Sequence, residues 1–113
     1  MVDDDIDINI ALKKVLEDNG YIVDAFGNPL NALKGFKKNT YNLIILDIKM
    51  THMSGFELYG EIRKIDNKVK VCFLTAGEIN PDSNHEIIFN NLFLRKPIEN
   101  KALLEAIENI KEP

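Results

Sequence analysis

Three kinds of side chain at four places in this sequence could do chemistry together. Asp3, Asp4 and Asp5 form an acidic triplet directly after Val2. A further carboxylate, Asp47, ends the aliphatic run Leu43-Ile44-Ile45-Leu46. Thr75 ends the run VKVCFL, and Lys96, with Pro97 directly after it, follows LFLR. Carboxylates brought together repel one another unless a cation neutralises them. A hard divalent ion that takes a few protein oxygens and keeps several waters suits such a set, and Mg²⁺ is the usual one. A hydroxyl and an ammonium beside a carboxylate-bound metal are groups that would hold an anion's oxygens. Phosphoryl transfer asks for little more: a nucleophile, in-line positioning and charge neutralisation.

These residues can meet only if the elements carrying them end at one edge. Apolar runs at 21–26, 42–47, 69–75 and 92–95 read as strands, and the continuous ones suit strands buried on both faces. Between them the apolar spacing turns helical. Ile8, Leu12, Val15 and Leu16 share one face, closed by Asn19-Gly20. Leu30, Leu33 and Phe36 follow Asn28-Pro29, a cap with proline at the first helical position. Phe56, Tyr59, Ile62 and Ile65 form a third stripe, entered through a capping box of Ser54 and Glu57. Leu103, Leu104, Ile107 and Ile110 form the last. A weaker helix is expected over 77–91, where Pro81 and several asparagines leave only Ile87, Ile88 and Phe89 as anchors. Strand and helix alternating at this pace predict a parallel sheet covered on both faces, and such sheets bind ligands outside the carboxyl ends of their strands.

Composition narrows the function. A chain of 113 residues, 45% hydrophobic and 28% charged, is of one-domain size. Its net charge of −4 and its scattered lysines and arginines supply no basic stripe for direct nucleic-acid binding. No apolar stretch approaches the roughly 20 residues of a membrane span, and the acidic start is the reverse of a signal peptide. The lone Cys72 lies within an apolar run and reads as a small buried hydrophobe in a reducing, cytoplasmic compartment. His52 and His85 read as surface residues.

VDDD at 2–5, LIILDIKM at 43–50, MSG at 53–55, LTA at 74–76 and LRKP at 94–97 occur in order. Together they resemble a response-regulator receiver domain of the CheY-like family, along essentially the whole chain. The resemblance implies a flavodoxin-like, doubly wound, five-stranded parallel sheet of order 2-1-3-4-5 with five helices, the first strand truncated to its last residues. It implies one receiver (phosphoacceptor) domain over 1–113, with no output domain in this chain. In that family Asp47 would be the phosphoacceptor, taking a phosphoryl group from a phosphohistidine of a histidine kinase or phosphotransfer domain. Asp4 would bind Mg²⁺ directly, Asp3 would support it through water, and Asp47 and the Lys49 backbone carbonyl would complete the shell. Asp5 and Asp7 read as solvated helix-start acids. Thr75 would be the switch hydroxyl, Lys96 its cationic partner, and Phe93 the aromatic that swings inward. The family also implies a cis Lys96–Pro97 bond. The output face would combine the fourth helix, fifth strand and last helix, which also offers a homodimer surface. The downstream target is left open. Such a domain is no enzyme beyond its own phosphotransfer and dephosphorylation.

The chain departs from the family at Thr51, where a proline is usual, and at Ser54, where aspartate is common. Thr51 is expected to loosen the loop beside the site and so to alter Mg²⁺ exchange or phosphoryl lifetime. Lys49 and Gly77 resemble the family's variable positions for tuning self-dephosphorylation, and there a lysine and a glycine would push in opposite directions. Two rivals remain: a degenerate receiver acting as a phosphorylation-independent binding module, and a Mg²⁺-dependent aspartyl phosphohydrolase. The hydrolase would want a second acid two residues after its nucleophile, where this chain has Lys49.

Overall fold

The computed structural model describes residues 1–76 and 91–111. Their elements run α1 (Ile6–Asp18), α2 (Pro29–Gly35), β1 (Leu43–Asp47), α3 (Gly55–Ile65), β2 (Lys70–Thr75), β3 (Leu92–Arg95) and α4 (Asn100–Lys111). The helix expected over 77–91, with Gly77, Pro81 and His85, lies outside the described residues, save for Asn91.

The three strands form one parallel sheet of order β1-β2-β3, with Asp47 opposite Leu74 and Thr75 opposite Arg95. Val2 extends this sheet as a single-residue bridge beside Leu46 on one side and Phe26 on the other. Val2 N–H donates to the Ile45 carbonyl at 2.8 Å, and Asp47 N–H returns to the Val2 carbonyl at 2.9 Å. On the far side, Phe26 N–H donates to the Met1 carbonyl and Asp3 N–H to the Phe26 carbonyl. A full strand over 21–26 does not form. Exposure alternates along that run, with Ile22 outward, and the paired backbone is limited to Phe26, which bridges to Val2, and the Asp24 carbonyl, which accepts from the Met1 amine at 2.8 Å.

Alternation within the strands sorts the core into two layers, because successive strand side chains point to opposite faces. Ile44, Leu46, Val71 and Phe73 pack with Val2, Leu58 and Ile62 under α2 and α3. Ile45, Cys72 and Leu74 pack with Leu12, Leu16, Leu103 and Ile107 under α1 and α4. Cys72 is fully buried, and desolvation pushes its thiol pKa up to about 12, which suits an inert packing group.

Two helix faces differ from the expected stripes. In α2, Pro29 and Ala32 turn inward with Leu33 half-buried, while Leu30 is exposed. In α3, Leu58 is the innermost residue and Ile65 is exposed. The caps form as the local sequence dictates. Asn28 accepts from Leu30 N–H ahead of Pro29, and Ser54 and Glu57 make a reciprocal capping box.

Candidate functional site

The ends of β1, β2 and β3 open at one edge, and backbone bonds place Asp3, Asp47, Thr75 and Lys96 there. Asp47 is the last residue of β1, and its N–H is held by Val2. Asp3 follows Val2 directly. Its carbonyl accepts from Asn9 Nδ2 at 2.7 Å, and its Oδ1 accepts from Asp5 N–H at 2.9 Å. Asp5 itself caps α1 by accepting from the Asp7 and Ile8 amides. Thr75 ends β2 and is buried, and its carbonyl receives Lys96 N–H at 2.8 Å. That bond sets Lys96 beside β2, where the Lys96–Pro97 peptide is cis.

From there the Lys96 side chain reaches back across the edge. Its Nζ lies 2.7 Å from Asp3 Oδ2 and 3.1 Å from Asp47 Oδ1. Asp4 joins the same cluster, with one carboxylate oxygen from each of Asp3, Asp4 and Asp47 within 4.8 Å of the others. Three carboxylates face one ammonium, so two negative charges stay uncompensated. That excess charge bears on Asp47. Burial raises its pKa above the usual aspartate value, the neighbouring Asp3 and Asp4 charges push the same way, and Lys96 only partly opposes them. Burial alone would lower the Lys96 pKa, but its bonds to Asp3 and Asp47 prevail and raise it.

Gly55 fixes how closely α3 approaches this edge. A Cβ at Gly55 would overlap the Asp47 carbonyl oxygen and sit 3.0 Å from Ile48 Cα, so only glycine fits there. Its N–H donates to the Ile48 carbonyl at 2.8 Å, while Ile48 N–H donates to the Leu74 carbonyl at 3.1 Å.

The remaining residues fall around this cluster. Lys49 and His52 are exposed in the β1–α3 loop, His52 at φ 73°. Phe93 is half-buried and stacks on Phe73, with ring centroids 4.9 Å apart, beside Phe56 and Tyr59. At Thr51, where the family usually has proline, the loop is bonded to the acidic cluster. The Thr51 N–H and hydroxyl donate to Asp4 Oδ2 at 3.3 and 3.2 Å. Asn9 was also missed as a site-supporting residue: its side-chain amide holds both the Asp3 and Phe26 carbonyls. An asparagine on the inward face of α1, next to Leu12 and Leu16, was the signal for it.

A comparison with protein-family models matches residues 1–108 to the response regulator receiver domain. This chain belongs to that family. It is a receiver domain of two-component response regulators, a signalling domain whose family accepts phosphoryl groups and interacts with histidine kinases or phosphotransfer proteins. The receiver is 33% identical over 113 residues to the response regulator receiver protein CpdR of Brucella abortus, covering 97% of this chain and 92% of that protein. It is 31% identical to the transcriptional regulatory protein GlrR of Escherichia coli, covering 99% of this chain but only 26% of that protein's length. Among solved structures, the non-phosphorylated HemR receiver domain from Leptospira biflexa is 26% identical. The superposition has a TM-score of 0.87 and covers 99% of this chain and 94% of that one. Among the described residues, no helix is long and apolar enough to cross a membrane.

Proposed function

We propose that this receiver accepts a phosphoryl group on Asp47 and uses Asp3, Asp4, Asp47 and the Lys49 backbone carbonyl to hold Mg²⁺. The observation that carries the reading is the carboxylate cluster at the sheet edge, bridged by Lys96 and still short of positive charge. A divalent cation fits that donor set: all three side chains offer oxygen, and two are buried where uncompensated charge is costly. When bound, the ion supplies neutralisation of charge on the transferring group.

The chain's own residues do the rest. Asp47 presents a carboxylate oxygen that bonds to phosphorus as the donor's N–P bond breaks and the imidazole leaves. The product is an acyl phosphate. Lys96 holds the Asp47 carboxylate before transfer and pairs with a phosphoryl oxygen after it. Thr75, ending the neighbouring strand, supplies a hydroxyl that can move onto the phosphoryl group. Phe93, two residues before Thr75's partner Arg95 on β3, is the aromatic that would follow. The added charge biases a pre-existing equilibrium between two packings of this edge.

The fuller fold belongs to this proposal. With the Val2 and Phe26 bridges read as the ends of a first and a second strand, the sheet has five strands in the order 2-1-3-4-5. The output would be read on the face that carries β3 and α4, which also serves for homodimer contact. The phosphodonor is a histidine kinase or phosphotransfer domain in the cytoplasm. The unit is a single receiver over 1–113.

The test is incubation with acetyl phosphate, or with beryllofluoride as a phosphoryl mimic, with and without Mg²⁺. A Mg²⁺-dependent adduct on wild type that is lost in Asp47→Asn supports the proposal. An adduct-free protein would leave the chain as a phosphorylation-independent binding module.

A further inference from the structure

The three carboxylates at the site are not held alike. Asp3 is fully buried and bound by Lys96 and the Asp5 N–H. Asp47 is buried and bound by Lys96. Asp4 is exposed and is not among the partners of Lys96. Asp3 and Asp47 repel its charge, and solvent offers its side chain an easy way out of the cluster. It nevertheless stays within 4.8 Å of both, and the two donors acting on it come from a single residue 47 positions away, Thr51.

We propose that Thr51 is the positioning residue for Asp4, holding its carboxylate ready for the divalent cation. The inference rests on the Mg²⁺ reading above and deepens it. Both Thr51 donors go to Oδ2, so the latch leaves the other carboxylate oxygen unused. A hydrogen bond to an ionised oxygen is stronger than one between neutral groups, and two of them offset part of the repulsion from Asp3 and Asp47. A ligand oxygen already in place spares the cation the cost of ordering an exposed side chain. The backbone N–H serves whatever the side chain is. The hydroxyl is the contribution specific to threonine or serine here.

The probe is Mg²⁺ alone, titrated calorimetrically into wild type, Thr51→Val, Thr51→Ala and Thr51→Ser, with melting in EDTA as a second readout. Losing one charge-assisted bond should weaken Mg²⁺ binding roughly three- to tenfold in the valine and alanine variants. The serine variant, which keeps the hydroxyl, should bind within about twofold of wild type. All four proteins should melt alike in EDTA, because Thr51 is exposed and carries little packing. Unchanged affinity in both valine and alanine variants overturns the positioning role and leaves the Mg²⁺ site standing. Tighter binding in them also overturns it, since the latch would then compete with the ion. No saturable Mg²⁺ binding by wild type would remove the Mg²⁺ reading and this inference together.

Discussion

Lys96 Nζ lies 3.1 Å from Asp47 Oδ1 and 2.7 Å from Asp3 Oδ2, so one ammonium ties the end of β1 to the acidic segment after Val2. Removing it leaves Asp3, fully buried, without its cation. Lys96→Met should therefore cost the metal-free protein about 2 kcal/mol at neutral pH, after allowing for partial solvent screening. Urea unfolding in EDTA measures it. The loss should shrink in acid, where the carboxylates are neutralised.

Asp47 carries the opposite sign. Its pKa is raised by burial and by the charges of Asp3 and Asp4. A raised carboxylate stabilises the fold only below the ordinary aspartate range, and that contribution is lost as pH rises through the raised value. Asp47→Asn has no such loss. In EDTA at pH 7 it should be at least as stable as wild type, and the advantage should vanish toward pH 4. Saturating Mg²⁺ should reverse the order by stabilising wild type alone. Thermal melts across pH, with and without the ion, check both statements.

Gly55 predicts a coupled defect. Its Cα faces backbone atoms of Asp47 and Ile48, which cannot step aside as a flexible side chain would. Gly55→Ala should destabilise by about 1–3 kcal/mol. Because the displaced atoms belong to Asp47 itself, phosphorylation should fall further than the loss of folded protein explains. Comparing phosphorylation rate with folded fraction separates the two.

Away from the site, Asp66 organises the turn from α3 into β2. Its carboxylate accepts from the backbone N–H of Lys68, Asn39 and Val69, at 2.9, 3.1 and 3.2 Å. These bonds, Lys68 and Asn39 foremost, hold its pKa below the usual aspartate value. The stability it supplies is present above the ordinary aspartate pKa and is lost as pH falls through the lowered one. Asp66→Ala should therefore be less stable than wild type at pH 7. The two should converge as pH drops below the aspartate range, as chemical unfolding at several pH values would show.

What the sequence disclosed follows from what is local. LIILD announced a buried strand with an acid at its end because an unbroken aliphatic run has few other uses. The caps at Asn28 and Ser54 were legible because their partners lie two and three residues away. The run at 21–26 pairs only near its end. Tyr21 and Val23 pack inward while Ile22 faces water, but hydrogen bonding to the Met1–Asp3 segment is confined to the Asp24 carbonyl and Phe26. Leu30 and Ile65 have helical spacing, yet Ala32 and Leu58 take the inward places because the neighbouring layer sets each helix's rotation. Thr51 was noticed for the proline it replaces, and its bonds to Asp4, 47 residues away, became visible only in the fold.

The central claim is that Asp47 is the phosphoryl acceptor. After reaction with acetyl phosphate and Mg²⁺, borohydride reduces an aspartyl phosphate to homoserine, which peptide mass mapping locates. The account predicts homoserine at position 47, dependent on Mg²⁺. Homoserine at another aspartate, or none in protein that binds Mg²⁺ normally, would contradict it.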